Sequence, residues 1–166
     1  TAGEFAESGA SWSRDGKWIY FFSDRTGRYE IWRIASGGGQ AEQVTQNGGY
    51  AAFESLDGKT LFYVKSSSSP LFAKPLGGGP ERQVLDHVGA ASFVVMADGV
   101  YYIGRRGDDR QYSLQFFQFS TGSSRLLTKT GSMASSGLTV SPDRKTFLFA
   151  TSVTSGSDLM LIENFR

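Results

Sequence analysis

The chain has 166 residues, enough for one ordinary domain with a sizeable core. Its 17 basic and 16 acidic residues nearly cancel, and no basic stripe appears, which excludes nucleic acid as a partner of this domain. No apolar run approaches the roughly 20 residues of a membrane span, and zero cysteines exclude disulfides and thiolate metal sites while fitting cytoplasm or periplasm equally.

Before the first repeat, Gly3 to Glu7 is a spare strand. Ser11-Trp12-Ser13 then reads as a short inner strand, and Arg14-Asp15-Gly16-Lys17 as a turn. Trp18 to Ser23 is aromatic and β-branched without polar alternation, so both of its faces should be covered. Tyr29 to Ile34 alternates more clearly, as a strand with one wetter face does. Gly37-Gly38-Gly39 is a turn, and Ala41 to Thr45 a polar edge strand. The same grammar returns with Ala51-Ala52-Phe53, Asp57-Gly58, Thr60 to Val64, Leu71 to Lys74 and Arg82 to Leu85. It returns again with Ala91 to Val95, Asp98-Gly99, Val100 to Gly104, the charged loop Arg105 to Arg110, Tyr112 to Phe119 and Arg125 to Thr128. The last round holds Gly137 to Val140, Pro142-Asp143, Phe147 to Ala150 and Leu159 to Ile162, and has no fourth strand.

The turn aspartates Asp15, Asp57, Asp98 and Asp143 are 42, 41 and 45 residues apart. A period in the forties marks a repeated supersecondary unit, here the blade of a β-propeller. The expected fold is therefore all-β, with four four-stranded antiparallel blades at about 8–49, 50–89, 90–131 and 132–166. An open blade edge invites association, so the strand at 3–7 is expected to close the last blade.

Ser11-Trp12-Ser13-Arg14-Asp15-Gly16-Lys17, followed by Phe21-Phe22-Ser23-Asp24-Arg25-Thr26-Gly27 and Ile31-Trp32, resembles the TolB-like, WD40-like propeller repeats of bacteria. The fourth repeat keeps Ser141-Pro142-Asp143 but carries Arg144 where glycine belongs. The resemblance implies the propeller fold and the C-terminal propeller portion of a larger regulatory or sensor protein, and the start at Thr1 also suggests a piece of a longer chain. Such rings usually hold six to eight blades. Four blades leave three arrangements: a closed monomer, part of a longer ring, or a head-to-tail homodimer of eight blades in which N-terminal strands are exchanged.

Catalytic signals are sparse. The single histidine, His87, follows Asp86, but neighbours in a strand point to opposite faces and no nucleophile elbow accompanies them. Asp108-Asp109 with Asp98 and Glu81 could suggest calcium, yet Arg105, Arg106 and Arg110 oppose a cation. The glycine triplets lack the Lys-Ser/Thr and helix of a phosphate loop. No catalytic residue, cofactor or metal is therefore assigned. The expected function is a non-catalytic binding or scaffold module, with a peptidase or glycan-acting enzyme's propeller gate as the alternative. Binding is expected at the channel mouth, on Asn47, Tyr50, Asp86, His87 and Ser132, with loops at 6–8, 47–50, 86–89 and 130–135.

Overall fold

The computed structural model describes residues 5–105, 111–131, 134–153 and 156–163. Among them, strands dominate. The first sheet is a meander of β1 (Glu7–Trp12), β2 (Trp18–Ser23), β3 (Glu30–Ala35) and β4 (Glu42–Gln43). The second holds β5 (Ala51–Glu54), β6 (Thr60–Val64), β7 (Ser69–Pro75) and β8 (Arg82–Val88). After a 3-10 turn at Gly89–Ala91, the third comprises β9 (Phe93–Val95), β10 (Gly99–Arg105), β11 (Tyr112–Gln118) and β12 (Ser123–Lys129). The fourth has β13 (Ala134–Val140), β14 (Phe147–Val153) and β15 (Gly156–Ile162). We refer to these sheets as blades 1 to 4. Each runs in sequence order with antiparallel neighbours, as short hairpins dictate.

The chain divides into two compact units, Thr1–Asp86 and His87–Arg166. In the first unit, Tyr20, Phe22 and Ile31 of blade 1 pack with Ala52, Leu61 and Tyr63 of blade 2. In the second, Tyr101, Ile103, Leu114 and Phe116 of blade 3 pack with Phe147 and Phe149 of blade 4. Strand alternation explains both clusters, because residues two apart share a face. Each fully buried Leu, Ile or Phe among them stabilises by roughly 1.5–3 kcal/mol.

Three of the four hairpins between first and second strands are built alike. Asp15 Oδ1 accepts from the Ser13 hydroxyl (2.8 Å) and the Lys17 N–H (3.0 Å), while Ser13 Oγ accepts from Trp18 N (2.8 Å). Ser55, Asp57, Lys59 and Thr60 repeat the arrangement, as do Ser141, Asp143, Lys145 and Thr146. These bonds to the ionised form hold all three carboxyls below the ordinary aspartate value. The Lys17 N–H is the leading cause at Asp15, and the serine hydroxyl at Asp57 and Asp143. The turn needs a left-handed residue after the aspartate. Gly16 and Gly58 supply it at φ 70° and 67°, and Arg144 is held there at φ 61°. The third hairpin has no serine, and Asp98 instead accepts from Arg144 Nη1 at 2.8 Å.

Two expectations need revision and two fall outside the described residues. The inner strand of blade 1 starts at Glu7, which pairs with Ser23, and Ala6 already exchanges bonds with Asp24. Glu7 therefore serves blade 1, and residues 1–4 of the strand expected at 3–7 are not described. The segment 86–88, expected as a loop, continues β8 to Val88. Leu85 and Val88, on opposite faces of the strand, are both buried, so β8 extends further than the polar Asp86-His87 pair suggested. The charged tip at 106–110, with Asp108 and Asp109, and the proposed mouth residue Ser132 lie outside the described residues.

Candidate functional site

The best-defined loop of the first unit follows β4. Its organiser is Glu30, a carboxylate with about 1% of its surface exposed. The Thr45 hydroxyl donates to Glu30 Oε2 at 2.7 Å, the Gly48 N–H donates to both carboxylate oxygens at 3.0–3.1 Å, and Arg28 Nε donates to Oε1 at 2.7 Å. A buried carboxylate persists only with such partners. Arg28 also reaches the Gln46 carbonyl, and Thr45 Oγ1 accepts from Ile31 N at 2.8 Å. Gly49 lies so close to blade 1 that a Cβ there would stand 2.7 Å from Ile31 N. The backbone of 45–50 is thus fixed from several sides.

This fixed loop presents two different surfaces. Asn47 is exposed and lines a polar cleft of about 360 Å³ together with Gln46, Thr45, Lys74, Pro80 and Glu81. Tyr50 is half-buried. Its ring stacks on Phe22, centroids 4.5 Å apart with 20° between planes, and meets the edge of Tyr29 at 6.0 Å. Beside the cleft, Glu81 accepts from the Tyr63 hydroxyl and pairs with Lys65. Burial, reinforced by the nearby Glu30 charge, raises the Glu81 carboxyl above its ordinary value. Burial lowers the Lys65 ammonium, with Glu30 opposing that shift.

The other expected site residues are placed separately. Asp86, in β8 of the first unit, is exposed and accepts from Gln83 Nε2 at 2.8 Å. His87 belongs to the second unit, where its Nδ1 accepts from Arg105 N at 3.4 Å and its ring lies 5.9 Å from Tyr112. Burial, then the Arg105 charge, lowers its pKa.

A second cleft was not anticipated. It measures about 410 Å³ at the hairpin end of blades 1 and 2, lined by Arg14, Trp18, Tyr20, Arg33, Glu54 and Asp57 among others. Glu54 is buried; its Oε1 accepts from the Tyr20 hydroxyl at 2.6 Å and its Oε2 from Arg14 N at 2.7 Å. Arg14 Nη2 also reaches the Glu54 carbonyl at 3.2 Å. Burial, then the bond to Glu54, raises the Tyr20 hydroxyl's pKa. The signal was present in the repeat: Glu54 stands three residues before its turn aspartate, where Trp12 and Val140 stand before theirs. One charge in an otherwise apolar column marks a local polar partner.

Four consecutive meander sheets with these hairpins form the fold of TolB-like β-propellers, with four blades in this chain. The structure of TolB from Acinetobacter baumannii is similar over 94% of this chain and 40% of that protein, with a TM-score of 0.75 and 20% identity. An oligogalacturonate lyase from Vibrio parahaemolyticus is similar over 92% of this chain and 48% of its own, with a TM-score of 0.66 and 17% identity. An uncharacterized protein of Agrobacterium fabrum, Atu1656, is 34% identical over 88 residues, which is 52% of this chain and 30% of that protein. The chain therefore spans less than half the length of each of these proteins. No protein-family model matches it.

Proposed function

We propose that the chain is a non-catalytic binding module whose first-unit contact is the cleft beside Asn47. The carrying observation is the loop at 45–50, clamped by buried Glu30 while Asn47 and Gln46 stay exposed over a polar cleft. A rigid backbone that presents amide side chains loses little order on binding. Lys74 and Glu81 add one charge of each sign, suited to a polar ligand or peptide segment. Tyr50 contributes by holding the loop on blade 1 through its stack with Phe22.

The engagement of the two titratable candidates supports the non-catalytic reading. Asp86 is bonded to Gln83, and the His87 imidazole accepts a backbone N–H. A general base would instead need its nitrogen aimed at a nucleophile within hydrogen-bond reach. The second class, a propeller gate acting on glycans, draws on the fold likeness to the lyase alone.

The test is a ¹⁵N-labelled chain titrated with a fixed panel of short peptides and oligogalacturonides. Peptide-induced shifts concentrated at 44–50 and 74–81, weakened at least tenfold in affinity by Asn47→Ala, are expected. Shifts elsewhere, or affinity indifferent to Asn47→Ala, discard the site. Selective response to the oligogalacturonides favours the second class.

A further inference from the structure

Strand register assigns the side chains of blade 1 to two faces. Tyr20, Phe22 and Ile31 lie on one, which blade 2 covers with Leu61 and Tyr63. Trp12, Ile19, Phe21 and Ile34 lie on the other. Counted from the turn aspartate, Trp12, Ile19 and Phe21 occupy the positions of Glu54, Leu61 and Tyr63 in blade 2. Leu61 and Tyr63 are fully buried against blade 1. In blade 1, by contrast, Trp12 is 61% exposed, and Ile19 and Phe21 line a groove of about 330 Å³ with Ala10, Ile34, Glu7 and Ser8.

Blade 4 shows the matching half. Phe147 and Phe149 face blade 3, while Leu148, Leu159 and Leu161 share the opposite face. Those three stand where Tyr20, Ile31 and Arg33 stand in blade 1, the face that receives the next blade. Leu159 is 68% and Leu161 53% exposed. Two exposed leucines, the half-buried Leu148 beside them and a tryptophan on blade surfaces mark contact sites rather than scattered apolar residues.

At the hairpin end the chemistry of the two faces is matched. Between blades 1 and 2, Glu54 is buried against Tyr20 and Arg14. At the position of Glu54, blade 1 has Trp12; at those of Tyr20 and Arg14, blade 4 has Leu148 and Pro142. The carboxylate and both of its donors are replaced together, on opposite ends of the chain. A charge on either side alone would be buried without a partner. Between blades 3 and 4 the same positions already hold Val140 and Ile103, in one apolar cluster. The exposed pair thus continues an interface type the chain uses internally.

We infer that the Trp12 face of blade 1 receives the Leu148 and Leu161 face of blade 4 from a second copy of this chain, head to tail. A two-fold axis makes the junction twice, so both exposed faces are covered in one closed pair.

Light scattering on the 166-residue chain from micromolar to millimolar concentration tests this. The expected mass is twice 18.1 kDa. Trp12→Glu and Leu161→Lys, each checked for native circular dichroism, should separately halve it. Adding Pro142→Arg and Leu148→Tyr to Trp12→Glu rebuilds the Glu54 arrangement and should restore the dimer. Should Trp12→Glu fail to fold, Leu161→Lys decides. A wild-type mass of 18.1 kDa throughout, as when blades of a longer protein cover these faces, overturns the inference. So does a dimer that survives both single substitutions.

Discussion

In the first unit the residue three before the second blade's turn aspartate is Glu54; in the second unit the residue at that position of the fourth blade is Val140. The backbones around them are alike, yet the surroundings differ throughout. Glu54 is buried beneath Tyr20 and Arg14, whereas Val140 joins Ile103, Tyr101 and Phe147 in an apolar cluster. Blade packing therefore tolerates either polarity, provided both partners agree. A buried hydrogen-bonded carboxylate and a buried hydrocarbon are both stable; a mixture of the two is not.

The comparison breaks most sharply if the polarity of one partner is changed. Val140→Glu places a carboxylate in the apolar cluster of Ile103 and the aromatic rings, and should cost about 3 kcal/mol in urea unfolding. Glu54→Leu, the reverse change, leaves the Tyr20 hydroxyl without its acceptor and should cost about 2 kcal/mol. Adding Tyr20→Phe should recover most of that loss, and a purely additive double variant would refute the coupling.

The hairpins offer a smaller contrast. Arg144 occupies the left-handed position that glycine fills in blades 1 and 2, and compensates with its bond to Asp98. Arg144→Ala keeps the strain and loses the bond, for a cost of about 1 kcal/mol. Arg144→Gly removes both and should fall within about 0.5 kcal/mol of the parent. Thermal melts that rank alanine above glycine would contradict this account.

The pH dependence should also separate the histidine from the hairpin carboxyls. His87 has a folded pKa below its ordinary 6.5, so the unfolded chain binds the proton first. Its contribution is complete above pH 6.5 and declines as pH falls through the lowered value. His87→Gln should flatten that slope in a pH series of melts. The hairpin carboxyls Asp15, Asp57 and Asp143 act later. Their lowered values stabilise above pH 3.8 and stop doing so as acidity passes below them.

Much of this architecture was legible in the sequence. The spacing of Asp15, Asp57, Asp98 and Asp143 located each hairpin, and the aromatic run Trp18–Ser23 is a strand over those very residues. Local chemistry explains that success, since turn residues and β-branched runs act within a few positions. Long-range partners were not legible. Nothing near Glu30 announces that Thr45 and Gly48 will satisfy it, and nothing near Glu54 names Tyr20. The Asp86–Val88 stretch is polar enough to resemble a loop, whereas β8 continues through it with Leu85 and Val88 buried. For the binding surface, residue type suggested Asn47 and Tyr50, but only the structure separates the amide over a cleft from the ring held in an aromatic stack.

The column occupied by Trp12, Glu54 and Val140 has a consequence for how such chains can grow. A blade is compatible only with a predecessor whose donors, or lack of them, suit that one side chain. Copying the second blade and splicing it after the fourth would bring a bare carboxylate onto Leu148 and Pro142, and the longer chain would not close up there. An added blade therefore fits this chain only as part of a compatible pair, or with substitutions on both sides of the new joint.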